Sequence, residues 1–100
     1  MMREVTSIDN PLVQKIRRLV RDPLAYRQQG LVWLEGDHLC QSLAAQGGPA
    51  VHVVASQSWM AGAPAAWSRD WADDVVVVPD ALFVRLSTLP SPAAVGALIP

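Results

Sequence analysis

The stretch LVWLEGDHLC, from Leu31 to Cys40, decides how the rest of the chain is read. Four apolar residues run into Glu35-Gly36-Asp37-His38, after which Leu39, Cys40, Leu43 and Ala44 recur at helical spacing. A carboxylate and an imidazole at a strand end suit an active site, but a strand-to-helix joint uses the same polar residues for structure. His38 and Cys40 stand two residues apart, about 200° around a helix, so they do not work as a pair. No Ser or Cys nucleophile with a recognisable signature accompanies His38, and Cys40 reads as a small buried core residue. Leu31–Leu34 is therefore expected to be the first strand, covered on both faces. Glu35-Gly36 turns the chain, and Asp37-His38 opens a helix running to Gln46.

Upstream, Asn10-Pro11 reads as a helix start. Asn caps well, and Pro suits the first helical position because its missing N–H would be unpaired there anyway. At 100° per residue, Leu12, Val13, Ile16, Leu19 and Val20 fall in one apolar arc, with Gln14, Lys15, Arg17, Arg18 and Arg21 opposite. The helix should stop near Asp22, since Pro23 disfavours helical geometry in the residue before it. AYRQQG, from Ala25, reads as a short helical turn that Gly30 closes.

Downstream, VHVVA (Val51–Ala55) and VVVV (Val75–Val78) read as buried strands, and AVGALI (Ala94–Ile99) as a fourth. Asp80 is placed to cap a short helix over Ala81–Ser87. Between the second and third strands, Pro64 could open a helix with Trp67 and Trp71 at i, i+4 on one face. Alternating helices and strands imply an α/β fold: a small three-layer α/β/α sandwich with a largely parallel four-stranded sheet.

Composition narrows the function classes. One hundred residues make one small domain, and with half of them hydrophobic and 17% charged the chain is not a disordered tail. No apolar run approaches the roughly 20 residues that span a bilayer, and MMREVTSIDN lacks a secretory core. The single cysteine forms no internal disulfide and suits a reducing cytoplasm. One Cys and two His, His38 and His52, give no metal-ligand spacing. The net charge of −1 hides an asymmetry, with six cations against three carboxylates over residues 1–27 and two against six over the remainder. One end is positive, as a polyanionic partner requires.

SIDNPLVQKIRRL from Ser7, YRQQGLVWLEGDHL from Tyr26, LFVRLS from Leu82 and SPAAVGAL from Ser91 together resemble a known family. It is the SpoU-type RNA 2′-O-ribose methyltransferases, the TrmH-like branch of the SPOUT superfamily, in their N-terminal substrate-binding domain. The resemblance covers almost the whole chain in the same motif order, except residues 56–74. It implies a ribosomal-protein-like RNA-binding fold over residues 1–100, with structured rRNA or tRNA as the partner. It also implies a catalytic domain that binds S-adenosylmethionine C-terminal to residue 100. The stop at Ile99-Pro100, directly after an apolar strand, fits the front portion of a longer protein. Ala93 and Ala94 depart from the family, which has Gln and Gly there.

On this reading the chain itself carries no catalytic, cofactor or metal residue, and RNA contact falls to Lys15, Arg17, Arg18, Arg21 and Arg27. A solvated helix face is the alternative for these cations. Asn10, Pro11, Glu35 and Gly36 are structural, with Glu35 accepting N–H bonds or pairing with an arginine. Trp59, Trp67 and Trp71 serve either as base-stacking platforms or as core and interface anchors. Two other functions stay open: a stand-alone RNA- or protein-binding module of the same fold, and a homodimerisation domain without RNA contact.

Overall fold

The computed structural model describes residues 2–62, 71–72, 74–87, 89 and 94–100. The expected helix near Pro64 and Trp67, and the start of SPAAVGAL, lie outside them.

Leu12, Val13 and Ile16 are buried on α1 (Pro11–Arg21), with Leu19 and Val20 packed beside them, as the apolar arc predicts. Asn10 caps the helix by accepting from the Leu12 N–H at 2.9 Å, Pro11 opens it, and Asp22 closes it by donating its N–H to Arg18 O at 2.9 Å. A second, short helix α2 (Ala25–Gln29) ends at Gly30, whose φ of 68° is the left-handed conformation of a glycine cap.

Among the described residues, five strands form one sheet: β1 (Met2–Glu4), β2 (Val32–Glu35), β3 (His52–Ser56), β4 (Asp74–Val78) and β5 (Val95–Ile99), in the order β1-β4-β3-β5-β2. The α/β class holds, with three differences from expectation. First, β1 is an additional strand, parallel to β4; three residues, MRE, carry no apolar pattern from which to read it. Second, β5 runs antiparallel to both β3 and β2. It starts beside the end of β3, where the Ser56 N–H donates to Ala94 O at 2.8 Å, so it must run back along the sheet. The remaining strands share one direction.

Third, β2 is an edge strand, and none of its four residues is fully buried. Val32 is 38% exposed, and Trp33 packs against Phe83 with ring centroids 6.3 Å apart. The apolar run is thus satisfied partly by helix packing and partly left at the surface.

Alternation along β3 and β4 divides the core between two faces. Val54, Val76 and Val78 meet α1 and a helix α5 (Asp80–Leu86) through Ile16, Phe83 and Leu86. Val53, Ala55 and Val75 face the opposite layer, covered by Trp59, Met60 and Trp71, with α3 (Asp37–Ala45) and α4 (Gln57–Gly62) on that side of the chain path. Asp80 does not cap α5, whose N-cap is Pro79 with extended geometry (φ −56°, ψ 146°). From the first turn of α5 its carboxylate reaches across to accept the Ser58 N–H at 3.0 Å and the Ser58 hydroxyl, supplying a partner to the open start of α4.

The LVWLEGDHLC joint is built as a turn. Gly36 has φ 131°, a conformation side-chain-bearing residues rarely adopt. Its N–H donates to Val95 O at 2.9 Å, and its carbonyl accepts from the Cys40 N–H at 3.0 Å, so one residue ends β2 and starts α3.

Candidate nucleic-acid interface

The helical period puts Lys15, Arg18 and Arg21 at i, i+3, i+6, along one side of α1. The structure brings them into one groove of about 500 Å³, walled also by Pro11, Gln14 and, from α2, Gln29. Gln14 is fixed by donating from Nε2 to Ile8 O at 2.5 Å. Among the described residues no carboxylate lies within ion-pairing distance of Lys15, Arg17, Arg18 or Arg21; the ion pairs present are those of Asp74. Like charges at this spacing oppose one another by roughly 0.2–0.5 kcal/mol per pair. Arg18 and Arg21 recover part of that at the negative end of the α1 dipole. Lys15, nearer the helix start, has no such compensation.

The other two cations expected to touch RNA lie apart. Arg17 occupies the flank between the apolar arc and Arg21 and is half-buried. Arg27 turns to its neighbour, donating from Nε to the Tyr26 hydroxyl at 3.2 Å with its guanidinium carbon 5.8 Å from the ring centroid. Tyr26 is 44% exposed, so this pair stands at the surface.

Asn10 and Pro11 start α1 and Gly36 precedes α3; Glu35, expected to accept N–H bonds or pair with an arginine, has a hydroxyl among its partners. Glu35, at the end of β2, accepts from the Ser87 hydroxyl at the C-terminal cap of α5, tying together two of the stretches that carry the family resemblance. His38 is exposed on α3, while Cys40 is fully buried beneath it, so the two do not meet. Burial, followed by the nearby charges of Asp37 and Glu35, pushes the Cys40 thiol up to about 11. Trp59 and Trp71 pack against the second core cluster, and the Trp71 indole N–H donates to Gly48 O at 2.5 Å; Trp67 lies outside the described residues.

One cluster escaped sequence reasoning. Arg3 on β1 grips Asp74 with two bonds, Nε to Oδ1 at 3.1 Å and Nη2 to Oδ2 at 3.0 Å, and His52 Nδ1 meets Asp74 Oδ2 at 2.5 Å. The Arg3 bonds, with a smaller contribution from His52, hold the Asp74 carboxyl below its ordinary range against the opposing effect of burial. The three residues are distant in sequence and meet only because β1, β4 and β3 lie side by side. Without β1, nothing in the sequence points to them.

The fold is a mixed α/β sandwich with a positively charged groove along its first helix. Solved structures that share this fold include RNA methyltransferases. An rRNA methyltransferase from Sinorhizobium meliloti superposes with a TM-score of 0.75 at 22% identity, over 97% of this chain and 36% of that one. An RNA 2′-O ribose methyltransferase matches with a TM-score of 0.67 at 22% identity, over 95% and 36% of the two chains. The SpoU methyltransferase AviRb from Streptomyces viridochromogenes, in complex with AdoMet, matches with a TM-score of 0.66 at 18% identity, over 91% and 36%. The chain thus spans about a third of the length of these proteins. No family model and no curated protein sequence matches it. At these identities the likeness concerns the fold. Among the described residues, no helix is long and apolar enough to cross a membrane.

Proposed function

We propose that the chain is the RNA-recognition domain of an S-adenosylmethionine-dependent rRNA or tRNA 2′-O-ribose methyltransferase of the cytoplasm. The observation that carries this reading is the groove in which Lys15, Arg18 and Arg21 converge without a counter-ion among the described residues. Such a groove tracks phosphates, and folded RNA is bound largely through its shape and backbone. Arg17 and Arg27 are outlying contacts on either side. The fold shared with RNA methyltransferases supports the assignment.

Methyl transfer belongs, on this proposal, to a catalytic domain in the part of those longer enzymes that this chain does not span. The test is to incubate the chain with a labelled rRNA or tRNA fragment and radiolabelled S-adenosylmethionine. RNA binding without methyl transfer is expected; methyl transfer by residues 1–100 would contradict the assignment of roles.

A further inference from the structure

A second recess, of about 290 Å³, is lined by Arg3, Asn10, Pro11, Leu12, Lys15 and His52. Lys15 also lines the α1 groove, so the two share a wall. Their chemistry differs. A carboxylate at His52 Nδ1 fixes the imidazole tautomer: in the neutral ring Nδ1 carries the proton and Nε2 keeps its lone pair. Nε2 has no hydrogen-bond partner among the described residues, and the side chain is 22% exposed. Arg3 uses Nε and Nη2 on Asp74, which leaves Nη1 for a ligand, and its side chain is 40% exposed.

With the ring neutral, the recess presents one acceptor nitrogen beside two cationic donors. A bare phosphate is a poor match, because it would set its oxygens against the Nε2 lone pair. A phosphate accompanied by a hydroxyl satisfies all three groups. We propose that this recess takes one ribose–phosphate unit of an RNA strand, with Lys15 and Arg3 on the phosphate and His52 Nε2 accepting from the adjacent 2′-hydroxyl. Asp74 is the positioning residue that orients both Arg3 and His52. The inference rests on the RNA reading above and adds to it a preference for RNA over DNA, since a 2′-deoxy strand lacks the donor.

A purely structural cluster, pinning β1 to β4 and β3, predicts that substitution lowers stability and leaves nucleic-acid preference alone. The distinction is read by fluorescence anisotropy of the chain with a fluorescein-labelled stem–loop RNA and the same sequence as a 2′-deoxy strand. His52→Phe should weaken RNA binding about three- to tenfold relative to the 2′-deoxy strand, the effect of one hydrogen bond. Lys15→Ala should weaken both strands together. A His52→Phe RNA-over-DNA ratio equal to wild type overturns the ribose site, yet leaves the α1 reading standing if Arg18→Glu still weakens binding. A wild-type chain that binds neither strand overturns both.

Because His52→Phe also removes the bond to Asp74, a measurement on the unaltered chain runs beside it. Long-range 1H–15N spectra of the His52 ring are followed during titration with uridylyl-uridine and with its 2′-deoxy analogue. The Nε2 resonance should move with the first and not the second; equal movement with both, or none, overturns the proposal.

Discussion

The indole of Trp33 lies across Gly96. A β-carbon built on Gly96 would stand 2.3 Å from Trp33 Cη2, 2.4 Å from Cζ2 and 2.8 Å from Leu34 O. Gly96 sits on β5, between Val54 of β3 and Glu35 of β2, so the absence of a side chain there lets the edge strand close over the sheet. Gly96→Ala forces a backbone or the ring to move. It should cost about 1–3 kcal/mol, the usual range for overpacking a closed core. Urea unfolding monitored by tryptophan fluorescence measures it, and an unchanged midpoint would mean that Trp33 does not pack there.

Ala94 has φ 70°, in the left-handed region that an L side chain enters at a cost of roughly 1–2 kcal/mol. It also stands where the resembling family has glycine. Ala94→Gly relieves that strain while adding chain entropy to the unfolded state, about 0.5–1 kcal/mol in the other direction. A net gain is expected, seen as a rise in Tm; a fall would show that the left-handed geometry carries no strain here.

The Arg3–Asp74–His52 cluster makes stability depend on acid. Asp74 has a folded pKa below its ordinary value of 3.8, so the folded chain binds its proton less readily than the unfolded one. Its contribution is present above that ordinary value and is lost as pH falls through the folded pKa. Denaturation midpoints measured from pH 5 downward should fall more steeply for wild type than for Asp74→Asn. Parallel curves would show that Asp74 contributes nothing to acid sensitivity.

Cys40 should be inert while the chain is folded. With its thiol pushed up to about 11 and no surface exposed, roughly one molecule in a thousand is thiolate at pH 8, and that one is inaccessible. Iodoacetamide labelling followed by mass spectrometry should be slow in buffer and rapid in concentrated urea. Fast labelling of the folded chain would contradict the burial.

What the sequence made legible was what local chemistry determines. Asn10-Pro11 and Asp22-Pro23 bounded α1 at both ends, and runs of valine marked β3 and β4. The glycine after Glu35 announced the joint into α3. Register and neighbours were not legible. Three polar-flanked residues gave no hint of β1, and the direction of β5 depends on which end of the sheet the chain re-enters. Asp80 looked like a cap for its own helix because the sequence does not reveal that α4 lies beside it. The candidate interface divides in the same way. The helical period aligns Lys15, Arg18 and Arg21 along one side of α1, but only the fold sets Arg27 apart from them and brings Gln29 to the same groove.

That separation provides the most direct test of RNA recognition through α1. Affinity for a stem–loop RNA is measured across a salt series for wild type, for a Lys15→Glu, Arg18→Glu, Arg21→Glu variant, and for an Arg17→Glu, Arg27→Glu variant. Each phosphate that is no longer neutralised should flatten the plot of log affinity against log salt by roughly 0.7–0.9. If α1 holds the RNA, the groove variant binds more weakly with a slope shallower by roughly two to three, and the outlying pair changes less. Equal slopes for the groove variant and wild type would contradict recognition through α1.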